Sequence, residues 1–194
     1  NGVNLLVAVV DEVKGVVGEQ EFAAAIFVHA RAGRKGGGQD FAHAPVGAPA
    51  TWVLSNHDVT RHVTRYGRED TTFAFASKSG GLPIVDLELG TQRARAAALL
   101  VLALPGAVYV YQGEELGLPE IEDLPAGALR DPMHFRSGGS DPGRDGCRVP
   151  LPWQRDDASF GFSPPGTTAS PWLPQPAWWG AHAEELLAMA ASER

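Results

Sequence analysis

Thr51-Trp52-Val53-Leu54-Ser55-Asn56-His57-Asp58, taken together with Ala107-Val108-Tyr109-Val110-Tyr111-Gln112-Gly113-Glu114-Glu115, decides how this chain is expected to fold. Thr51 to Leu54 has the β-branched and aromatic content of a strand, and it stops at the polar run Ser55-Asn56-His57-Asp58. A loop is expected from Val59 to Glu88, containing Arg61, His62, Arg65 and a Gly80-Gly81 turn. Thr91 can cap a helix from Gln92 to about Leu104, with Ala96, Leu99, Leu100 and Ala103 as its buried stripe. Pro105-Gly106 breaks that helix, and Ala107 to Tyr111 reads as a second strand. Strand, helix, strand is the parallel crossover unit, so both strands end at one edge of a sheet. That edge receives Asn56, His57 and Asp58 from one strand and Gln112, Glu114 and Glu115 from the other. Catalytic residues gather there in a (β/α)₈ barrel, and ligands bind there in a doubly wound sheet.

Working outward, Val3 to Val10 suits a strand buried on both faces, ended by Asp11-Glu12. Glu19 to Arg31 reads as a short helix with Phe22, Ala25, Ile26 and His29 on one face, and Gly33 to Gly38 as a flexible basic loop. Residues 1–41 carry no motif and are set apart from 42–194. After Leu118 the chain is rich in Pro, Gly, Trp and Asp, which suits a packed, ligand-contacting excursion better than a linker. Ala177 to Arg194 regains helical character through Ala183, Leu186, Leu187 and Ala190.

The composition narrows the function classes. With 194 residues, 44% hydrophobic and 20% charged, the chain has enough apolar material to bury a core. Net charge is -7 and the isoelectric point is near 5.3, with the basic residues dispersed, so no nucleic-acid surface is expected and a neutral or cationic ligand is favoured. Cys147 is the only cysteine, which rules out an intrachain disulfide and a Cys-x-x-Cys metal cluster and favours a cytoplasmic setting. No His and carboxylate spacing implies a metal, and no cofactor is expected. The most apolar stretch, Ala94 to Val110, is short for a bilayer span and is interrupted by Pro105-Gly106, so no membrane segment is read. Asn1-Gly2-Val3-Asn4 has neither an initiator Met nor the basic start of a secretory leader, and is read as beginning mid-protein.

Three motifs in order carry a resemblance to a known family. Trp52 to Asp58 is similar to the fourth conserved region of the α-amylase family (glycoside hydrolase family 13), in which an Asn-His-Asp triplet closes the seventh barrel strand. Leu104-Pro105-Gly106 followed by Tyr109 to Gly117 resembles the eighth strand and its loop. Gly143-Arg144-Asp145-Gly146-Cys147-Arg148-Val149-Pro150-Leu151-Pro152-Trp153 resembles the Arg-Asp-x-x-Arg-x-Pro-x-x-Trp segment of the α-glucosidase and oligo-glucosidase branch. The resemblance covers roughly Ala44 to Trp179. It implies an α/β fold, a partial (β/α)₈ TIM barrel comprising about strands 7 and 8 with their helices and loops and incomplete at its N-terminal side, with 42–194 as the C-terminal portion of a glycosidase catalytic barrel.

What the family implies for single residues follows from its chemistry. An Asp at the position of Asp58 hydrogen-bonds the hydroxyls of the glucose ring under attack, a contact that tightens as the ring flattens toward an oxocarbenium ion. His57 and Asn56 accompany it at the sugar. Arg144 and Arg148 resemble the loop arginines that border the site, able to bind hydroxyls or to pair with acids; for Arg144 a structural ion pair with Asp141 or Asp145 is an equal alternative. Glu114 and Glu115 correspond to a structural feature of the strand-eight loop and are not assigned a catalytic role. Trp153, Trp172, Trp178 and Trp179 offer sugar-stacking faces, or a small satellite core.

Retaining hydrolysis needs a nucleophile and an acid/base about 5 to 5.5 Å apart, and the family places them on strands four and five, in a Gly-Phe-Arg-x-Asp segment and a Glu-bearing strand end. Neither segment precedes Asn56 here. The leading expectation is a fragment of a retaining α-glucosidase acting on terminal α-linked glucose of an oligosaccharide or other α-glucoside, inactive by itself. A trehalose-forming or glucosyl-transferring relative is the enzymatic alternative, and a non-catalytic amylase-like binding or transporter-associated protein is the alternative from another class.

Overall fold

The computed structural model describes residues 51–69 and 84–183. The expected strand at Val3 to Val10, the helix at Glu19 to Arg31, the Gly33 to Gly38 loop, the Gly80-Gly81 turn and the chain beyond residue 183 lie outside the described residues. The described chain forms two units, one of 51–56, 62–69 and 84–111, the other of 57–61 and 112–183.

In the first unit, β1 (Thr51–Val53) pairs in parallel with β2 (Ala107–Tyr109), Thr51 opposite Ala107, Trp52 opposite Val108 and Val53 opposite Tyr109. Both strands are shorter than their apolar runs. Leu54 drops out of the ladder where its carbonyl accepts from Arg65 Nη2 at 2.8 Å. Between the strands lie α1 (His62–Tyr66) and α2 (Leu87–Ala103). The sequence pattern shows a plain loop where α1 stands, because five residues are too few to display a helical period. Tertiary hydrogen bonds stabilise it instead: the Ser55 hydroxyl accepts the His62 backbone N–H at 2.9 Å and pairs with His62 Nδ1 at 3.0 Å.

Helix α2 starts five residues earlier than Gln92. Its N-cap is Asp86, whose carboxylate accepts the Leu89 N–H at 2.9 Å, while the Thr91 hydroxyl donates to Leu87 O inside the first turns at 2.7 Å. The buried face is also turned from the expected one. Leu99 is 64% exposed and Ala103 is exposed, whereas Gly90, Ala94, Ala96, Ala97, Leu100 and Val101 are buried. Ala94, Ala97 and Val101 join Leu54, Val63 and Tyr66 in one apolar cluster, with Trp52, Ala98 and Val108 against it. Gly90 of α2 faces α1 because the two helices approach closely: a Cβ on Gly90 would lie 2.2 Å from Val63 O, and one on Gly67 would lie 2.3 Å from Asp86 O. Glycine in a helix interior costs about 1 kcal/mol, offset here by that approach.

The second unit has little regular structure, as its Pro and Gly content predicts, yet it is packed. Leu116, Leu118, Ile121, Val149, Leu151, Leu173 and Trp179 form its core, with Leu124 and Phe160 against them. Its described elements include three 3₁₀ turns (Ala126–Ala128, Asp145–Arg148, Ala158–Gly161) and one short helix, α3 (Pro132–Arg136), and residues 181–183 are helical. Backbone groups without a ladder take side-chain partners, as they must when buried. Arg61, 1% exposed, donates through Nη1 to Gln112 O at 2.9 Å and through Nη2 to Cys147 O at 3.0 Å. Its backbone N–H donates to Glu120 Oε2 at 2.9 Å. Trp179 is fully buried and its indole N–H donates to Pro150 O at 2.8 Å, so this tryptophan is core, while Trp153, Trp172 and Trp178 are exposed.

Candidate functional site

Asp58, His57, Arg144 and Arg148 all lie in the second unit and converge on the Asp58 carboxylate. Arg144 Nη1 donates to Asp58 Oδ1 at 2.8 Å and Arg148 Nη2 to the same oxygen at 3.2 Å. His57 Nε2 stands 3.5 Å from that oxygen, and Arg148 Nε donates to His57 O at 3.0 Å. The Asp58 side chain stays 46% exposed, so a carboxylate oriented by two guanidiniums remains within reach of a ligand. Asn56, half-buried, closes the first segment of the other unit.

The arginines arrive on the turn built by Gly143 to Arg148. Gly143 adopts φ +76°, a left-handed conformation natural to glycine, and a Cβ there would lie 2.6 Å from Asp131 Cβ. Asp145–Arg148 then coils as a 3₁₀ turn, with Cys147 buried and its thiol donating to Arg144 O at 3.1 Å.

Asp131 is the residue that sequence reasoning missed. Arg144 forms its structural ion pair with Asp131, not with Asp141 or Asp145: Nε donates to Oδ2 at 2.5 Å and Nη2 to Oδ1 at 3.0 Å. The same carboxylate accepts the backbone N–H groups of Met133 at 2.9 Å and Arg144 at 2.9 Å. Asp145 is spent on the backbone, its Oδ2 accepting from Arg130 N at 2.6 Å and Asp131 N at 2.9 Å. The hydrogen bonds from the Arg144 side chain, then those from the Met133 and Arg144 N–H groups, hold the Asp131 carboxyl well below the usual carboxylate range against its burial. Reciprocally, Asp131 first and Asp58 second raise the Arg144 guanidinium above its already high value. The one sequence cue was Asp131-Pro132, the signature of a helix N-cap before α3.

Glu115 accepts the Gly113 N–H at 2.8 Å, closing its own turn after β2. Among the described residues no group of three or more His, Cys, Asp or Glu side chains is placed to hold a metal, and no helix is long and apolar enough to cross a membrane.

Residues 38–185 match the family described as "Alpha amylase, catalytic domain". A probable alpha-glucosidase of Rhizobium meliloti is 36% identical over 137 residues, which is 70% of this chain and 20% of that protein. Oligo-1,6-glucosidase IMA5 of Saccharomyces cerevisiae is 29% identical over 144 residues, 64% of this chain and 22% of that one. Among solved structures, an alpha-glucosyl transfer enzyme, XgtA, superimposes with a TM-score of 0.52 at 36% identity, covering 74% of this chain and 22% of that one. The chain thus spans about a fifth of the length of the curated relatives it matches.

Proposed function

The chain belongs to the α-amylase family of glycoside hydrolases, and from that membership we propose that it forms the part of a retaining α-glucosidase that grips the glucose ring, with β1 and β2 as barrel strands seven and eight. The observation that carries this reading is the Asp58 carboxylate, exposed to ligand and oriented by Arg144 at 2.8 Å and Arg148 at 3.2 Å. Those are the residues that the family motifs put at the sugar.

In this reading Asp58 accepts hydrogen bonds from glucose hydroxyls, and those bonds strengthen as positive charge develops on the ring. Such a contact favours the transition state over the bound substrate. His57 adds an imidazole beside the same sugar, and Arg148 fixes the backbone carrying it through the His57 carbonyl. The nucleophile and acid/base belong to segments that this sequence does not show before Asn56, so the 194-residue chain is expected not to hydrolyse a chromogenic α-glucoside.

Binding is therefore the test. A glucose-shaped imino sugar, cationic in its protonated form, imitates the developing charge. The 194-residue chain is expected to bind 1-deoxynojirimycin, and Asp58→Asn to weaken it at least ~10-fold, about 1.4 kcal/mol. Equal affinity in the two proteins would sink the reading. Similarity to a glucosyl-transfer enzyme supports a second version, in which a sugar hydroxyl replaces water as the acceptor. Product analysis with the whole enzyme separates the two: free glucose for hydrolysis, a lengthened glucoside for transfer.

A further inference from the structure

Arg144 serves two carboxylates of opposite exposure. The Asp58 side chain is 46% exposed and that of Asp131 is 0% exposed, so only Asp58 can meet a ligand. Arg144 gives Asp58 one hydrogen bond, through Nη1, and commits Nε and Nη2 to Asp131. Arg148 repeats the division less tightly, with Nη2 3.2 Å from Asp58 Oδ1 and Nη1 3.8 Å from Asp131 Oδ2. A guanidinium left to itself with a carboxylate closes on it with two parallel hydrogen bonds. Such a fork would spend the negative charge of Asp58 on an internal partner.

Asp131 is built to prevent this. It cannot follow Arg144, because its carboxylate also accepts the Met133 and Arg144 backbone N–H groups. Its own N–H is held by Asp145 at 2.9 Å, and Gly143 packs against its Cβ where no side chain would fit. We propose that Asp131 is a positioning residue that holds the Nε edge of Arg144 and so limits this arginine to one hydrogen bond on Asp58, leaving the Asp58 charge to act on a sugar ring that becomes cationic. The sugar part of this inference rests on the glucose-subsite reading of Asp58; the hold on Arg144 does not.

Asp131→Asn keeps the shape and removes the charge, and two measurements on the full 194-residue chain read the consequence. The first is NMR detection of hydrogen-bond correlations from arginine side-chain nitrogens to carboxyl carbons. The wild-type chain is expected to show one Arg144 nitrogen correlated with Asp58 and two with Asp131, and the variant two with Asp58. A wild type with two Arg144 nitrogens on Asp58, or a folded variant still with one, overturns the proposal. Because the wild-type pattern is decisive by itself, a variant that fails to fold leaves the proposal open to refutation.

The second measurement compares 1-deoxynojirimycin with glucose, which is neutral. The variant is expected to lose about tenfold in preference for the cation over glucose, whereas a merely structural role would weaken both alike. Parallel losses overturn the charge argument. A wild type that binds neither sugar refutes the glucose-subsite reading, and the nitrogen correlations still decide whether Asp131 holds Arg144.

Discussion

The backbone N–H of Arg61, three residues beyond Asp58, donates to the buried Glu120 carboxylate at 2.9 Å, while its guanidinium ties down the carbonyls of Gln112 and Cys147. One residue thereby joins the start of the second unit to the turn after β2 and to the turn that carries Arg148. Charge-assisted hydrogen bonds each contribute about 1.5 to 3 kcal/mol. Arg61→Met is expected to destabilise the chain by at least ~3 kcal/mol, and Arg61→Lys is expected not to rescue it, since an ammonium cannot span two carbonyls set apart as the planar fork requires. Chemical denaturation of both variants checks this; a lysine variant of wild-type stability refutes it.

Asp131 makes the stability of the second unit depend on acid. Its folded-state pKa is depressed, chiefly by Arg144, so its contribution is fully present above the ordinary carboxylate pKa of about 4 and is lost as pH falls through the folded value. Asp131→Ala removes the anchor of Arg144 and leaves the Met133 and Arg144 backbone N–H groups without their acceptor, and is expected to cost about 3 kcal/mol at neutral pH. The difference in stability between wild type and variant is expected to narrow steadily below about pH 4. Melting curves from pH 7 to pH 3 measure it, and a difference that stays constant over that range contradicts the assignment.

Gly90 gives a test of the first unit. Alanine at a helical position ordinarily adds up to about 1 kcal/mol over glycine, yet its Cβ would lie 2.2 Å from Val63 O and 3.0 Å from Gly67 N. The clash is with backbone, which cannot rotate away. Gly90→Ala is therefore expected to lower stability by about 1 to 3 kcal/mol in spite of its better helix propensity. A melting temperature equal to or above the wild-type value would refute the close backbone contact between α1 and α2.

Much of the first unit was legible because it is local. Thr51-Trp52-Val53 and Ala107-Val108-Tyr109 are β-branched and aromatic, Pro105-Gly106 stops a helix, and strand-helix-strand order demands the parallel pairing that β1 and β2 make. Where two residues of the same capping chemistry stood close together, composition could not choose. Asp86 caps α2 and Thr91 bonds back to Leu87 within it. Leu99 looks more suited to a core than Ala97, but the face of α2 that packs is selected by how near α1 comes, and at Gly90 that closeness leaves no room for a side chain.

The same division runs through the candidate site. The sequence by itself determined family membership and put forward Asp58, His57, Arg144 and Arg148 as candidates for the site, since the family's motifs are local runs of sequence. Only the tertiary structure decided which acid holds which base. Asp131 and Arg144 are thirteen positions apart and Asp58 is eighty-six from Arg144, and hydrogen bonds over such separations depend on where turns place the backbone, a property that no periodicity or spacing along the chain encodes.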